Sequence, residues 1–257
     1  MQTPNGEALA KTEAVASVDE LPSALSRLGL GSTRPVLVSV GGASGLDAVV
    51  ADRLLALFRD RLAPLLDQLG AAVLDGGTDA GVMALMGQAR RAARARFPLL
   101  GVAARGTVRL PGEPTGMGAA LEPNHSHRLL VPGTSWGDEI PWMNAVATLL
   151  GAGHGRATLV AAGGRITRLD VDASLEHGRP TLVLAGSGGT ADVIVSAGAS
   201  VGARADRLHR LIHVVPQEGV WGGLVAALTG LLAEGTSFGR AVGDDARPTG
   251  ERDVSGT

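Results

Sequence analysis

Three runs of glycine and small hydroxyl residues carry the chemistry open to this chain, and each directly follows a short apolar run. Gly41-Gly42-Ala43-Ser44-Gly45 follows residues 36–40, and Gly76-Gly77-Thr78-Asp79-Ala80-Gly81 follows 71–75. Gly186-Ser187-Gly188-Gly189-Thr190-Ala191-Asp192 follows 181–185. A turn without side chains lets a ligand approach the backbone, and the helix that starts next offers unpaired N–H groups at its positive dipole end. Three such turns on one sheet edge suit an anionic ligand, most simply a phosphate. In the first, the amides of Ala43 and Ser44 form the expected cradle, with the Ser44 hydroxyl either a further donor or a helix cap. In the second, Gly76 and Gly77 bend the chain and Thr78 or Asp79 caps the next helix. The Asp79 charge suits a cap or a ribose hydroxyl better than a phosphate. In the third, Ser187 and Thr190 add hydroxyls among backbone amides. Asp192 lies in the first helical turn, where a carboxylate is dipole-favourable.

Four other groups belong beside these turns. Arg105 and Arg128 flank the proposed ligand edge and suit phosphate oxygens. His125-Ser126-His127 has the look of a metal pair, yet nothing nearby completes a ligand set, so no metal is expected. One histidine, His127, is expected to line the pocket and the other to sit at the surface. Gly133-Thr134-Ser135 precedes Asp138-Glu139, a helix-start signature first and a ligand contact second.

The elements that must position these residues follow from periodicity. Strands are expected at 36–40, 71–75, 99–104, 127–131, 157–161, 181–185 and 210–215. Apolar residues Leu46, Val50, Leu54, Phe58, Leu62, Leu65 and Leu69 mark a long helix that Pro64 should kink or break. Further helices fit 17–28, 79–95, 138–150, 170–177, a start near Thr190, and 219–234. The arginines at the end of the 79–95 helix read as a solvated face. Strands alternating with helices give an α/β, Rossmann-like, doubly wound and mostly parallel sheet of about seven strands. Ligands bind such sheets outside the carboxyl ends of the strands, where all three glycine turns fall. The expected organisation is a disordered tail over 1–17, one domain over 18–238, and a disordered tail over 239–257. Within the domain, 105–126 is a long Pro- and Gly-bearing loop and a candidate lid.

Composition narrows the function. The 257 residues carry a formal net charge of −2 and only 2% aromatics, which argues against nucleic acid as a partner. There is no cysteine, hence no disulfide or thiolate chemistry. Lys11 is the only lysine, so neither a Walker-type loop nor a pyridoxal Schiff base is available, and arginine must supply the positive charge on a ligand. No apolar stretch reaches the roughly 20 residues needed to span a bilayer, nor does the N-terminus carry a signal-peptide core. A cytoplasmic protein is expected.

Read in order, these motifs resemble the SLOG superfamily and, within it, the LSDAT domains of melastatin-type TRP channels and their prokaryotic relatives. The matching pieces are 39–45, Gly76 to Val82, Leu100-Gly101-Val102-Ala103 leading to Gly106, His125-Ser126-His127, Gly133-Thr134, and Gly186-Ser187-Gly188 with Ala191-Asp192-Val193-Ile194. The resemblance implies a Rossmann-like domain that binds a nucleotide-derived ligand, with ADP-ribose and other NAD-derived molecules the leading class and no cofactor required. On that basis Gly41 to Ser44 and Gly186 to Thr190 would hold two phosphates, with Gly76, Gly77, Thr78, Gly133 and Thr134 nearby. Arg105 would neutralise charge, and His127 with the long loop would enclose the base or ribose. The wider superfamily holds phosphoribohydrolases with a P-G-G-x-G-T-x-x-E signature. Here Ala185 replaces the proline, Ser187 the second glycine and Val193 the glutamate, so an N-glycosidic hydrolase would need Asp192 or Asp75 as a substitute acid. A third reading is a ligand-free scaffold acting through homo-oligomers by way of Trp136 and Trp142. A sensor would also need an effector protein, which no motif names.

Overall fold

The structure, a computed structural model, describes residues 10–42, 46–116, 118–198, 211–217, 221 and 223–233. Eight parallel strands form the central sheet: β1 (Lys11–Ala14), β2 (Val36–Gly41), β3 (Ala72–Asp75), β4 (Leu99–Ala104), β7 (His127–Val131), β8 (Arg156–Ala161), β9 (Thr181–Leu184) and β10 (Ile212–Val215). Their order is β1-β7-β4-β3-β2-β8-β9-β10. The chain therefore builds outward from β2 through β3, β4 and β7, then returns to the other side of β2 for β8, β9 and β10. The crevice between β2 and β8 is the topological switch point of a doubly wound sheet.

Central strands of an all-parallel sheet are buried on both faces, which is why β2, β3, β4 and β9 are nearly continuous apolar runs. Alternate residues serve opposite layers. Leu37, Val73, Leu99, Leu159 and Leu182 face one core, closed by α2 (Ala48–Leu57), α3 (Ala63–Gln68), α4 (Gly81–Ala92) and α8 (Leu224–Ala233). Val38, Leu74, Leu100, Val160 and Val183 face the other, closed by α1 (Leu21–Leu28), α5 (Ile140–Leu150) and α6 (Arg165–Glu176). The helix α7 (Gly189–Gly198) follows β9.

Three sequence expectations are corrected. Residues 11–14, assigned to the N-terminal tail, are strand β1, paired in register from Lys11 opposite His127 to Ala14 opposite Leu130. This strand is the eighth of the sheet. Pro64 does not break its helix. The turn Phe58–Leu62 between α2 and α3 is π-helical, and the Ala63 N–H reaches back five residues to Phe58 O at the point where the proline removes the normal donor. The loop 105–126 is tied down rather than open. A two-residue ladder joins β5 (Val108–Arg109) to β6 (Ala119–Ala120), Thr78 bridges Leu121, and Val108 packs with Ala103 and Leu130. The expectations over 1–9, over the amides of Ala43 and Ser44, and over the 239–257 tail lie outside the described residues. Among the described residues, no helix is long and apolar enough to cross a membrane.

Candidate functional site

A cleft of about 330 Å³ opens at the carboxyl end of the sheet, at the switch point. Its floor is the end of β2 and the turn after β3, contributed by Ser39, Val40, Gly41, Gly42, Gly76 and Thr78. One wall is the β8–α6 turn and the first turns of α6, from Gly163 to Thr167 and on to Asp170. The facing wall is Trp136, Glu139 and Met143, with Met83 from α4 below. Gly41, Gly42, Gly76 and Thr78 thus meet as the sequence suggested. Gly163, Gly164 and Arg165 were missed as a ligand turn, although Gly163-Gly164 was legible as another glycine pair after a strand.

The β8–α6 turn has unusual backbone. Ala162 is left-handed at φ 53°, a region costly for any residue with a Cβ, and Gly163 follows at φ 102°. The turn is fixed by its neighbour. The Ala162 N–H donates to Ser187 Oγ at 2.8 Å, Ser187 donates to Leu184 O at 2.6 Å, and the Thr190 hydroxyl donates to Gly164 O at 2.9 Å. The next helix, α6, has Gly164 as its N-cap residue and no side-chain cap. Residues Gly163 to Thr167 line the cleft, and an uncapped helix start with an arginine beside it suits an anion.

The third glycine turn has a different job from the expected phosphate cradle. Gly186 N–H donates to Asp192 Oδ1 at 2.6 Å and Gly188 N–H to Asp192 Oδ2 at 3.1 Å, so the carboxylate of its own helix fills the anion position. Ser187 and Thr190 are spent on the β8–α6 turn, and the Gly189 backbone packs against Gly163. None of Gly186 to Thr190, nor Asp192, lines the cleft. Asp192→Ala should therefore cost about 1 kcal/mol of stability, as the loss of a cap does. Urea unfolding checks this, and an unchanged midpoint would refute the capping role.

Similar local closures account for other candidates. Thr134 and Ser135 N–H groups donate to Asp138 Oδ2 at 2.9 and 3.0 Å, which holds the Asp138 carboxyl below its usual range and closes the turn at Gly133. Arg105 is exposed and paired with Glu113 and Val108 O, away from the cleft. Arg128 is buried and donates to Glu122 O at 3.0 Å, which makes it a tether of the long loop. Arg90, expected on a solvated face, is likewise a tether. It donates to Phe97 O and Asn124 O and lies over the Phe97 ring.

Neither histidine takes its expected place, one lining the pocket and the other at the surface. His127 is the first residue of β7, at the opposite end of that strand from the cleft. Burial, then the charges of Lys11 and Arg90, push it down to about 4. His125 is fully buried between two carboxylates. Its Nδ1–H donates to Glu122 Oε2 at 2.7 Å and its Nε2–H to Asp75 Oδ1 at 2.8 Å. Asp75 Oδ1 also accepts the Gly77 N–H at 2.7 Å, so Asp75 orients the second glycine turn rather than facing a ligand. Burial alone would push His125 down, but Asp75 and Glu122 outweigh it and raise the imidazole to about 9. The ring reaches Asp75 by crossing Gly101, where a Cβ would stand 3.3 Å from the imidazole and 2.6 Å from the Gly77 Cα. Only glycine at 101 permits this passage.

Two carboxylates do face the cleft. Glu139 is buried at the start of α5 and accepts the Gly137 N–H at 2.9 Å; burial raises its carboxyl above the ordinary value. Asp170 faces it from α6, raised to about 7 by burial and then by the Glu139 charge. Ser39 lies between the strand ends, 2% exposed, and its Oγ has no hydrogen-bond partner among the described residues. Among those residues, no group of three or more His, Asp or Glu could hold a metal ion.

The family model described as "SLOG in TRPM, prokaryote" matches residues 34–220. Among solved structures, the chain is similar to TM1055, an X-ray structure from a structural genomics consortium. Identity is 20% and the TM-score 0.51, over 75% of this chain and 96% of that one, a likeness of fold. No curated protein matches.

Proposed function

The chain belongs to the SLOG family in its prokaryotic, TRPM-related form, and from that premise we propose that it binds or senses a nucleotide-derived ligand in the cleft between β2 and β8. One observation carries this reading. The N-terminus of α6 lines the cleft with no side-chain cap; α4, which neither Thr78 nor Asp79 caps as expected, spends its Val82 N–H on Gly42 O, and Asp138 and Asp192 close the amides of their own turns. A phosphate would rest on the amides from Gly164 to Thr167, with Arg165 as its counter-charge. Gly41, Gly42 and Gly76 would let the ligand lie close on the strand ends, against Trp136 and Met143. The volume of about 330 Å³ is at the small end of ligand sites, which suits a mononucleotide or one half of ADP-ribose. The protein would work in the cytoplasm and signal through an effector protein or a second copy of itself.

Calorimetry with AMP, ADP-ribose and NAD tests this reading. Binding in the micromolar to millimolar range is expected, and Arg165→Ala should weaken it at least ten-fold, the scale of one charge-assisted hydrogen bond. Absence of binding by all three ligands at millimolar concentration, or an Arg165→Ala variant that binds as the parent does, would refute it. A hydrolytic reading keeps one supporting observation. Asp75 and Asp192 are engaged elsewhere, but Glu139 and Asp170 face the cleft, and an acid raised to about 7 suits proton transfer to a leaving base. Chromatography of the same mixtures for a released base decides that point.

A further inference from the structure

The acidic side of the cleft is at odds with a site for phosphate alone. Glu139 and Asp170 come from different helices, α5 and α6, and both face the space that Arg165 and the α6 amides also face. Fixed negative charge beside a phosphate slot weakens binding unless the ligand brings hydrogen-bond donors to it. Asp170 makes no hydrogen bond and no ion pair with the described residues. Arg179, whose charge acts on Asp170, uses two of its three nitrogens elsewhere. Its Nε donates to Thr158 Oγ1 at 2.7 Å, and its Nη2 to Asn144 Oδ1 at 2.5 Å and Ser174 Oγ at 2.9 Å. A second and independent feature lines the same cleft: the buried Ser39 hydroxyl, without a hydrogen-bond partner among the described residues. A buried hydroxyl left unpaired costs free energy that a bound polar group would recover.

We propose that Glu139 and Asp170, which line one cleft together with the Ser39 hydroxyl, form a subsite for a vicinal diol, such as the 2′- and 3′-hydroxyls of a ribose. This deepens the reading above and rests on it. The two hydroxyls donate to the two carboxyl groups, as an acidic residue receives a ribose hydroxyl in dinucleotide sites. Ser39 donates to or accepts from the same sugar. Burial holds both carboxyls up; the Glu139 charge adds to this at Asp170 and the Asp138 charge at Glu139, opposed by Arg179 on Asp170 and by backbone N–H groups on Glu139. A cation is then poorly received and a neutral polyol well received. The arrangement also places the anion-binding α6 terminus and the diol subsite in one cleft, the layout that a phosphorylated sugar requires.

Two probes separate this inference from the reading beneath it. The first is calorimetry with AMP against 2′-deoxy-AMP, for the parent protein, Asp170→Asn and Glu139→Gln. The second is saturation-transfer NMR with methyl β-D-ribofuranoside against its 2-deoxy analogue, which carry no phosphate. In the parent, loss of the 2′-hydroxyl should weaken AMP binding at least ten-fold. In each variant that discrimination should shrink to less than three-fold, with thermal melts confirming a folded protein. The riboside should show transfer at its C2 and C3 protons, abolished in Asp170→Asn. Riboside binding without nucleotide binding would leave the diol subsite standing and remove the nucleotide. AMP binding that ignores the 2′-hydroxyl, or discrimination that survives both substitutions, would overturn the subsite and leave the nucleotide reading intact. Silence from both probes would overturn both.

Discussion

Replacing His125 with leucine should destabilise the protein by about 3–5 kcal/mol, the cost of leaving a buried charge without its partner. The leucine fills the space but withdraws both N–H donors, so that Asp75 and Glu122 face each other with no hydrogen left between them. Asp75 has no reserve here, since its Oδ2 has no hydrogen-bond partner among the described residues. The loss extends to function-bearing backbone. Glu122 also takes the Asn124 N–H at 2.7 Å, and the Glu122 N–H donates to Gly77 O at 2.9 Å, so the imidazole joins the long loop to the second glycine turn. His125→Gln, which keeps neutral donors, should fall between parent and leucine variant.

The same group sets a pH dependence. The folded-state value of about 9 lies above the free-imidazole value of 6.5. The folded protein therefore holds a proton that the unfolded chain releases in between, and the stabilisation is complete below pH 6.5 and lost as pH rises through 9. The decline amounts to about 3 kcal/mol at 1.4 kcal/mol per unit. Urea unfolding at several pH values between 6 and 9.5 should show it for the parent and not for His125→Leu. An identical slope in both proteins, or a loss on substitution under about 1 kcal/mol, would show that the cluster is merely polar filling.

How far the sequence predicted this molecule depends on whether a property is local. The apolar runs and glycine turns are local, so seven of the strands, the parallel sheet and the glycine-lined carboxyl edge could all be read from them. Strand β1 was hidden because Lys11-Thr12-Glu13-Ala14 has no apolar run, being a largely exposed edge paired on one side only. Which turns meet is not local. Gly186 to Thr190 had the richest donor pattern, yet the sheet order sets the β8 turn between it and β2, and Asp192 consumes its amides. Gly163-Gly164, plainer in sequence, is the turn adjacent to β2. That both His125 and His127 miss their expected places has the same origin. Alternation along a strand correctly separated the two residues, but His125 lies before β7, where the loop and the bare Gly101 decide its direction. Glu139 was visible only as a helix start, and Asp170 only as one polar residue among several. Their pairing needed the packing of α5 on α6.

The Asp170 carboxyl should make the protein less stable as the solution turns from acid to neutral, and Asp170→Asn should remove that penalty. Its folded value of about 7 lies above the ordinary 3.8, because burial and then the Glu139 charge disfavour the ionised form. Between those values the folded state binds a proton that the unfolded chain has released, so stability falls with rising pH across this window and levels off above it. The full difference is about 4 kcal/mol. Asparagine resembles the neutral acid in shape and cannot ionise. Asp170→Asn should therefore match the parent near pH 4 and exceed it by about 4 kcal/mol at pH 8, well above the range of ordinary surface substitutions. A carboxyl kept at such a cost, when an amide would be more stable, is what a site selected for binding rather than for stability displays. Urea titrations of both proteins at pH 4, 6 and 8 decide it. Parallel stability curves would show that Asp170 ionises freely in the fold. A gain at pH 8 with nothing at pH 4, seen in the same variant that ceases to distinguish AMP from 2′-deoxy-AMP, would tie the stability penalty and the sugar recognition to one carboxyl group.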